Sequence, residues 1–226
     1  TAPIAGEAAS GFQPDLILSL AQAPLDAPGL SRLREKTDAL TAFWLVEDVR
    51  HFGYVADVAP SYDALFHIQE GLIEPFLRDW GLSQSWYLPL AADADLFQPL
   101  PGYGAGNSYA AKLSFMGAGY PNRRRVMGQL AEKYWPSTGR PLEDFRIFGS
   151  GWAGVSSKIK NHLFENGRRV SLPECAMIYA GGLINLNIHS SLESRPGFDP
   201  SSAFVNPRTF EIASAGSLQL VDARPL

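Results

Sequence analysis

Lys112-Leu-Ser-Phe-Met-Gly117-Ala-Gly119-Tyr-Pro-Asn122-Arg-Arg-Arg125 is the stretch that decides the fold class. A short apolar run, residues 112–116, reads as a strand. It breaks at a glycine turn over residues 117–122, and a helical pattern follows over 123–134, with Val126, Met127, Leu130 and Tyr134 on one side. The same alternation extends in both directions. Upstream, residues 15–20, 41–46 and 62–68 read as strands, the first of them buried on both faces, and 85–90 as a strand or extended segment. Residues 30–40 and 73–80 read as helices between them. Downstream, 145–148, 183–188 and 218–221 read as strands, and 173–179 and 207–215 as helices. Strands alternating with helices imply parallel sheets covered on both faces.

The stretch 91–107 breaks the rhythm. It holds Pro99, Pro101, Gly102, Gly104 and Gly106 without a period and reads as a linker. Two α/β domains are therefore expected, 1–105 and 106–226. A ligand would sit in the cleft between them, at the carboxyl ends of the strands. Thr1 is not an initiator Met, and the chain stops at Leu226, just after the last strand. Both ends thus read as cut, the first domain lacking its start and the second its end.

With 226 residues, 46% of them hydrophobic, the chain can bury one or two real cores. Its 19 Lys and Arg against 23 Asp and Glu give a net charge of −4, which argues against nucleic acid or an anionic membrane as partner. Cys175 is the single cysteine, so neither an intrachain disulfide nor a Cys-rich zinc site can form, which fits a cytoplasmic protein. No apolar run approaches the ~18–20 residues of a membrane span, and residues 1–7 lack the basic start and apolar core of a signal peptide.

Three segments could carry chemistry. At Gly117 and Gly119 the backbone can approach an anion, helix N–H groups point at it, and Arg123, the first of three arginines, can clamp a phosphate. Arginines at a helix start oppose the helix dipole, a cost that an anionic ligand offsets. The plain alternative is a tight turn before a solvated basic helix. A second glycine turn, Gly149-Ser-Gly151-Trp152, follows the next strand, with Trp152 as a core cap or a stacking face. The third segment is Asn206-Pro-Arg208-Thr-Phe-Glu211, with Asn206 as N-cap and Pro207 at the first helical position. Arg208 and Glu211 share a face, either as an intrahelical ion pair or as an anion-binding cation beside a carboxylate for sugar hydroxyls. His189 ends a strand as a proton carrier, a polar ligand group or a bonded structural residue. Glu47 and Asp48 end another strand, with His51 close behind, and could supply a base; their spacing supports no metal site.

Residues 41–48 with 50–52, 87–91, 115–123, 184–189, and 206–211 through 219–222 resemble the spore maturation protein CgeB family over nearly the whole chain and in the same order. Asn206-Pro-Arg-Thr-Phe-Glu211 is the most specific part and the glycine turns the least. The resemblance implies a GT-B-like arrangement, two Rossmann-like domains facing across a cleft, and transfer of a sugar from a nucleotide diphosphate sugar to an unidentified acceptor. It implies that Glu211 binds the donor ribose, Gly117, Gly119 and Arg123 line the pyrophosphate, and Arg208 neutralises the leaving group. No tightly bound metal is expected. Asp48, His51 and His189 remain as catalytic candidates, the first two as an acceptor-side base. Related retaining transferases carry two glutamates separated by seven residues, whereas Ala203 stands eight positions before Glu211. That difference favours the alternative, a non-catalytic nucleotide- or glycan-binding module in surface or coat assembly. A nicotinamide dehydrogenase fits less well, because no Gly-x-Gly-x-x-Gly follows the first visible strand.

Overall fold

A computed structural model describes residues 7–8, 11–21, 23–49, 53–71, 73–82, 84–102, 107–133, 145–190 and 204–222. The described residues fall into two compact units. One holds those up to residue 90 with residue 204, and the other holds 91–190 and 205–222. The division thus comes at 90/91 rather than near 105. The reason is Phe97. It is 3% exposed, its ring lies 5.9 Å from that of Tyr179, and its carbonyl accepts from Ser214 Oγ. Residues 91–102 of the aperiodic stretch expected to be a linker belong to the second unit.

The first unit runs β1 (Leu16–Leu20), α1 (Ala27–Arg34), β2 (Leu40–Leu45), α2 (Val55–Val58), β3 (Ala64–His67), α3 (Glu74–Asp79) and β4 (Ser85–Tyr87). Helix α1 starts earlier than its apolar stripe suggests, because Asp26 caps it. The Asp26 carboxylate accepts the Gly29 N–H at 2.8 Å. The strands are parallel in the order β1-β2-β3-β4, with Leu20 opposite Trp44 and Leu45 opposite His67. Parallel crossovers are right-handed, so a sheet that grows in one direction places every connecting helix on the same face. Leu30, Leu33, Val55 and Leu77 from the helices all meet Phe43, Leu45 and Leu65 there. On the other face Leu16, Leu18, Leu20, Leu40 and Trp86 are exposed, and Leu16, Leu40 and Trp86 border a hollow of about 450 Å³. β1 is therefore not buried on both faces, and among the described residues this sheet is covered on one side only.

The second unit runs β5 (Ala111–Met116), α4 (Pro121–Lys133), β6 (Phe145–Phe148), α5 (Ser157–Lys160), α6 (Leu172–Gly181), β7 (Gly182–Asn187), α7 (Pro207–Ser214) and β8 (Gln219–Val221). Its strands are also parallel, but their order is β6-β5-β7-β8. The chain moves one way from β5 to β6, then crosses back over β5 to reach β7. Helices consequently pack on both faces. Phe115, Phe145, Ile147 and Leu186 meet Met127 and Ala131 of α4 on one side. Cys175, Tyr179, Ile212 and Ala215 form the core on the other. Helix α6 opens on a reciprocal cap, in which the Ser171 hydroxyl accepts the Glu174 N–H and the Glu174 carboxylate accepts the Ser171 N–H.

Candidate functional site

The reversal of strand order between β5 and β7 makes a crevice outside their carboxyl ends, because the loops leaving the two strands turn to opposite faces. Gly117 follows β5, His189 follows β7, and α4 and α7 both begin there.

Gly117 has φ +157°, and its N–H donates to the Phe148 carbonyl at 3.0 Å. A Cβ on it would stand 3.1 Å from Arg208 Nη2 and 3.3 Å from Arg123 Nη1. Both guanidinium groups therefore converge on the space a side chain would take, and only glycine leaves it clear. Gly119 is different. Its Cβ position is filled by the Gly151 carbonyl oxygen at 2.6 Å, and its N–H is held by the Ser150 carbonyl. Gly119, expected to line a pyrophosphate, lets the two glycine turns touch. Arg124 fastens the same junction through the Gly119 and Gly151 carbonyls. Trp152 is 3% exposed, stands edge-on to Phe115 and donates to the Gly117 carbonyl, so it caps the core.

Arg123 is 5% exposed. Its Nε donates to the Ile188 carbonyl at 2.8 Å and its Nη1 to the Ala118 carbonyl at 3.1 Å. Burial, with the Arg208 charge next, pushes its pKa down to about 9, so it stays protonated at neutral pH. Arg208 donates from Nη1 to Asn187 Oδ1 at 3.4 Å, while its buried Nε has no hydrogen-bond partner. Among the described residues neither arginine has a carboxylate within ion-pair distance. The intrahelical Arg208–Glu211 pair is not formed. Glu211 instead accepts the Tyr179 hydroxyl at 3.0 Å, and burial raises its carboxyl pKa above the ordinary value. A buried cation, Arg123, with a second, half-buried one beside it and only neutral hydrogen-bond partners for both, is costly, and a bound anion is the usual compensation.

His189 is 2% exposed. Its Nδ1 faces Asp222 Oδ1 at 2.7 Å, and its Nε2 accepts the Asn206 N–H at 3.0 Å. Both ring nitrogens are occupied by protein groups, which removes the free lone pair or proton that a proton carrier offers a substrate. Sequence reasoning missed the partners Tyr179, Asn187 and Asp222. The visible signal was a pair of asparagines, Asn185 and Asn187, at alternate positions of an otherwise apolar strand.

In the first unit, Asp48 is buried at the end of β2. His51 lies outside the described residues, as does Ala203. His67 and Gln69, which sequence reasoning also missed, are buried at the end of β3, and His67 Nδ1 and Gln69 Nε2 have no hydrogen-bond partner. Among the described residues no three His, Cys, Asp or Glu side chains are grouped to hold a metal, and no helix is long and apolar enough to cross a membrane.

Parallel sheets with flanking helices, and a site at a reversal of strand order, place the protein in the Rossmann-like α/β class. Residues 112–226 match a family model described as glycosyl transferase-like, and the chain belongs to that family. It is similar to the spore protein CgeB of Bacillus subtilis (strain 168), with 26% identity over 217 residues. The match takes in 93% of this chain but 64% of that relative, so the chain spans less than two thirds of its length. Two solved structures share the fold. Sucrose-phosphate synthase from Thermosynechococcus elongatus matches with a TM-score of 0.56 at 10% identity, covering 96% of this chain and 58% of that one. The α,α-trehalose 6-phosphate synthase from Burkholderia multivorans matches with a TM-score of 0.56 at 13% identity, covering 96% and 56%.

Proposed function

We propose that this protein transfers a sugar from a nucleotide diphosphate sugar, and that its second unit holds the donor. The observation that supports this reading most directly is the pair of guanidinium groups, that of buried Arg123 and that of half-buried Arg208, that converge where a Gly117 side chain would stand. In such a transfer the bond between the sugar and the diphosphate oxygen breaks, and its electron pair goes to that oxygen. An acceptor hydroxyl forms the new bond and gives up its proton. Charge grows on the departing diphosphate, where preorganised cations are most effective. The two arginines supply that charge in place of a tightly bound metal.

Glu211 takes the donor ribose through the oxygen that Tyr179 leaves open. The hollow of about 480 Å³ lined by Trp152, Lys160, Asn166 and Gly167 takes the base. The acceptor belongs to the first unit, with Asp48 or His51 receiving its proton. A nucleotide-sugar donor and the free thiol of Cys175 fit a cytoplasmic setting.

The test is calorimetry of the full-length protein with uridine, guanosine and adenosine diphosphates. At least one binds, and Arg208→Ala weakens it by at least about tenfold through loss of a charge-assisted contact. Unchanged affinity in that variant removes Arg208 from the site.

A second reading, a non-catalytic nucleotide- or glycan-binding module in surface or coat assembly, is favoured by the full occupation of His189 and by Ala203. Nucleotide binding without turnover on any of a panel of nucleotide sugars selects it.

A further inference from the structure

We infer that His189 is a positioning residue, which sets the spacing of the two guanidinium groups rather than carrying a proton. The consequence for ligand binding rests on the diphosphate reading above, whereas the structural part stands without it.

An N–H group donates to His189 Nε2, so the ring proton is on Nδ1, in the bond to Asp222. The His189 backbone N–H donates to the same Asp222 oxygen at 3.0 Å, so one carboxylate fixes both ring and main chain. The group that the ring holds in turn, Asn206, is the N-cap of α7. Its Oδ1 accepts the Thr209 N–H at 3.1 Å, and its Nδ2 donates to Asn187 Oδ1 at 2.9 Å. That same Asn187 oxygen receives Arg208 Nη1. A chain of bonds therefore leads from the end of β8 through His189, Asn206 and Asn187 to the Arg208 guanidinium.

The main chain of the same short segment holds the other cation. The Ile188 carbonyl accepts from Arg123 Nε, and the His189 carbonyl accepts Asn122 Nδ2 at 2.7 Å, which ties down the first turn of α4. Both arginines are thus referenced to one fixed point beyond β7. His189, Asn206, Asn187, Arg123 and Asn122 are all buried, so each broken bond strands a partner away from water.

The test compares two near-isosteric substitutions in the full-length protein. Glutamine at position 189 can place an oxygen where Nε2 accepts, and asparagine can place an N–H where Nδ1 donates. Positioning through Nε2 predicts that His189→Gln keeps the Asn206 and Thr209 amides protected in hydrogen exchange and binds the nucleotide diphosphate within about threefold of the parent, while His189→Asn exposes those amides and weakens binding by about tenfold. If His189→Asn does not fold, Asn206→Asp replaces it. That variant keeps the N-cap oxygen and the backbone N–H but loses the donor to Asn187, so the amides stay protected and affinity falls by about tenfold. Parental exchange and parental affinity in both His189 variants, with turnover lost in each, overturn the inference and return His189 to proton transfer. If the parent binds none of the three diphosphates, the diphosphate reading fails, and the exchange measurement alone decides the positioning role.

Discussion

The two units repeat one sequence rhythm and reach different ends. In the first, the strands add in the order β1-β2-β3-β4, every helix lands on one face, and the other face keeps Leu16, Leu18 and Leu20 exposed. In the second, the chain reverses, both faces are packed, and the reversal opens a crevice where Gly117, Arg123, Arg208 and Glu211 collect. The alternation of strands and helices supplies parallel sheets in either case. Only the order of strand addition decides whether loops part at a switch point. Polar residues at strand ends consequently differ in meaning. In the second unit they form a connected network between two helix starts, while the buried His67 and Gln69 of the first unit each leave a side-chain nitrogen without a partner.

The largest expected effects test the packing side of this contrast. Leu65, on the helix-covered face of the first sheet, and Leu186, inside the second unit, are both buried. Leu65→Ala and Leu186→Ala should each cost about 2–5 kcal/mol in denaturant unfolding, the usual range for emptying a packed leucine site. Leu18 is 49% exposed, and Leu18→Ser should change stability by less than about 0.5 kcal/mol. A Leu18 cost matching that of Leu65 would show the outer face of the first sheet to be as well packed as its inner one, and the contrast would collapse.

Gly117→Ala tests the site side. The new methyl would press on Arg208 Nη2, on the Phe115 ring at 3.2 Å and on Arg123 Nη1, at a φ that side chains rarely adopt. The guanidinium tips must move, and binding of the nucleotide diphosphate should fall by about tenfold while the protein stays folded. By contrast Gly119→Ala meets backbone at 2.6 Å and should show itself as lost thermal stability. If the two variants behave alike, the distinction between a site glycine and a packing glycine is wrong.

Much of this was legible in the sequence, though unevenly. Asn206 and Pro207 announced the start of α7 correctly, because caps are local chemistry that reads directly from residue type. Helix α1 was placed late, since its apolar stripe is short and the cap at Asp26 sits before it. Strand order could not be read, because a parallel alternation is the same string whether or not the chain reverses. Hence the outer leucines of β1 looked like core. Phe97 was invisible for a related reason: periodicity detects regular elements, whereas Phe97 is buried from an irregular stretch. Arg208 and Glu211 were found as residues but not as partners. Spacing along a helix allowed their pairing, while Tyr179 and Asn187, distant in sequence, compete for them successfully.

The smallest effect expected is on Glu211, and it separates stability from binding within one side chain. Burial raises its carboxyl pKa, with the Tyr179 hydroxyl and the Arg208 charge opposing that rise. A carboxyl whose pKa is higher in the folded state than in the unfolded chain favours folding at low pH, and its contribution is lost as pH rises through the folded value. The stability difference between the parent and Glu211→Gln, followed by thermal melting without nucleotide, should therefore shift with pH. Relative to its own value at low pH, the glutamine variant gains on the parent as pH climbs past the usual carboxylate range. Nucleotide binding should move the opposite way at neutral pH, because the amide is a poorer acceptor for ribose hydroxyls than the ionised carboxylate. A variant that is stabilised towards neutral pH and yet binds less well is what a carboxylate held in place for a ligand produces. If the stability difference is flat across pH, or if binding is untouched, Glu211 loses that role and the second unit's crevice keeps only its cations.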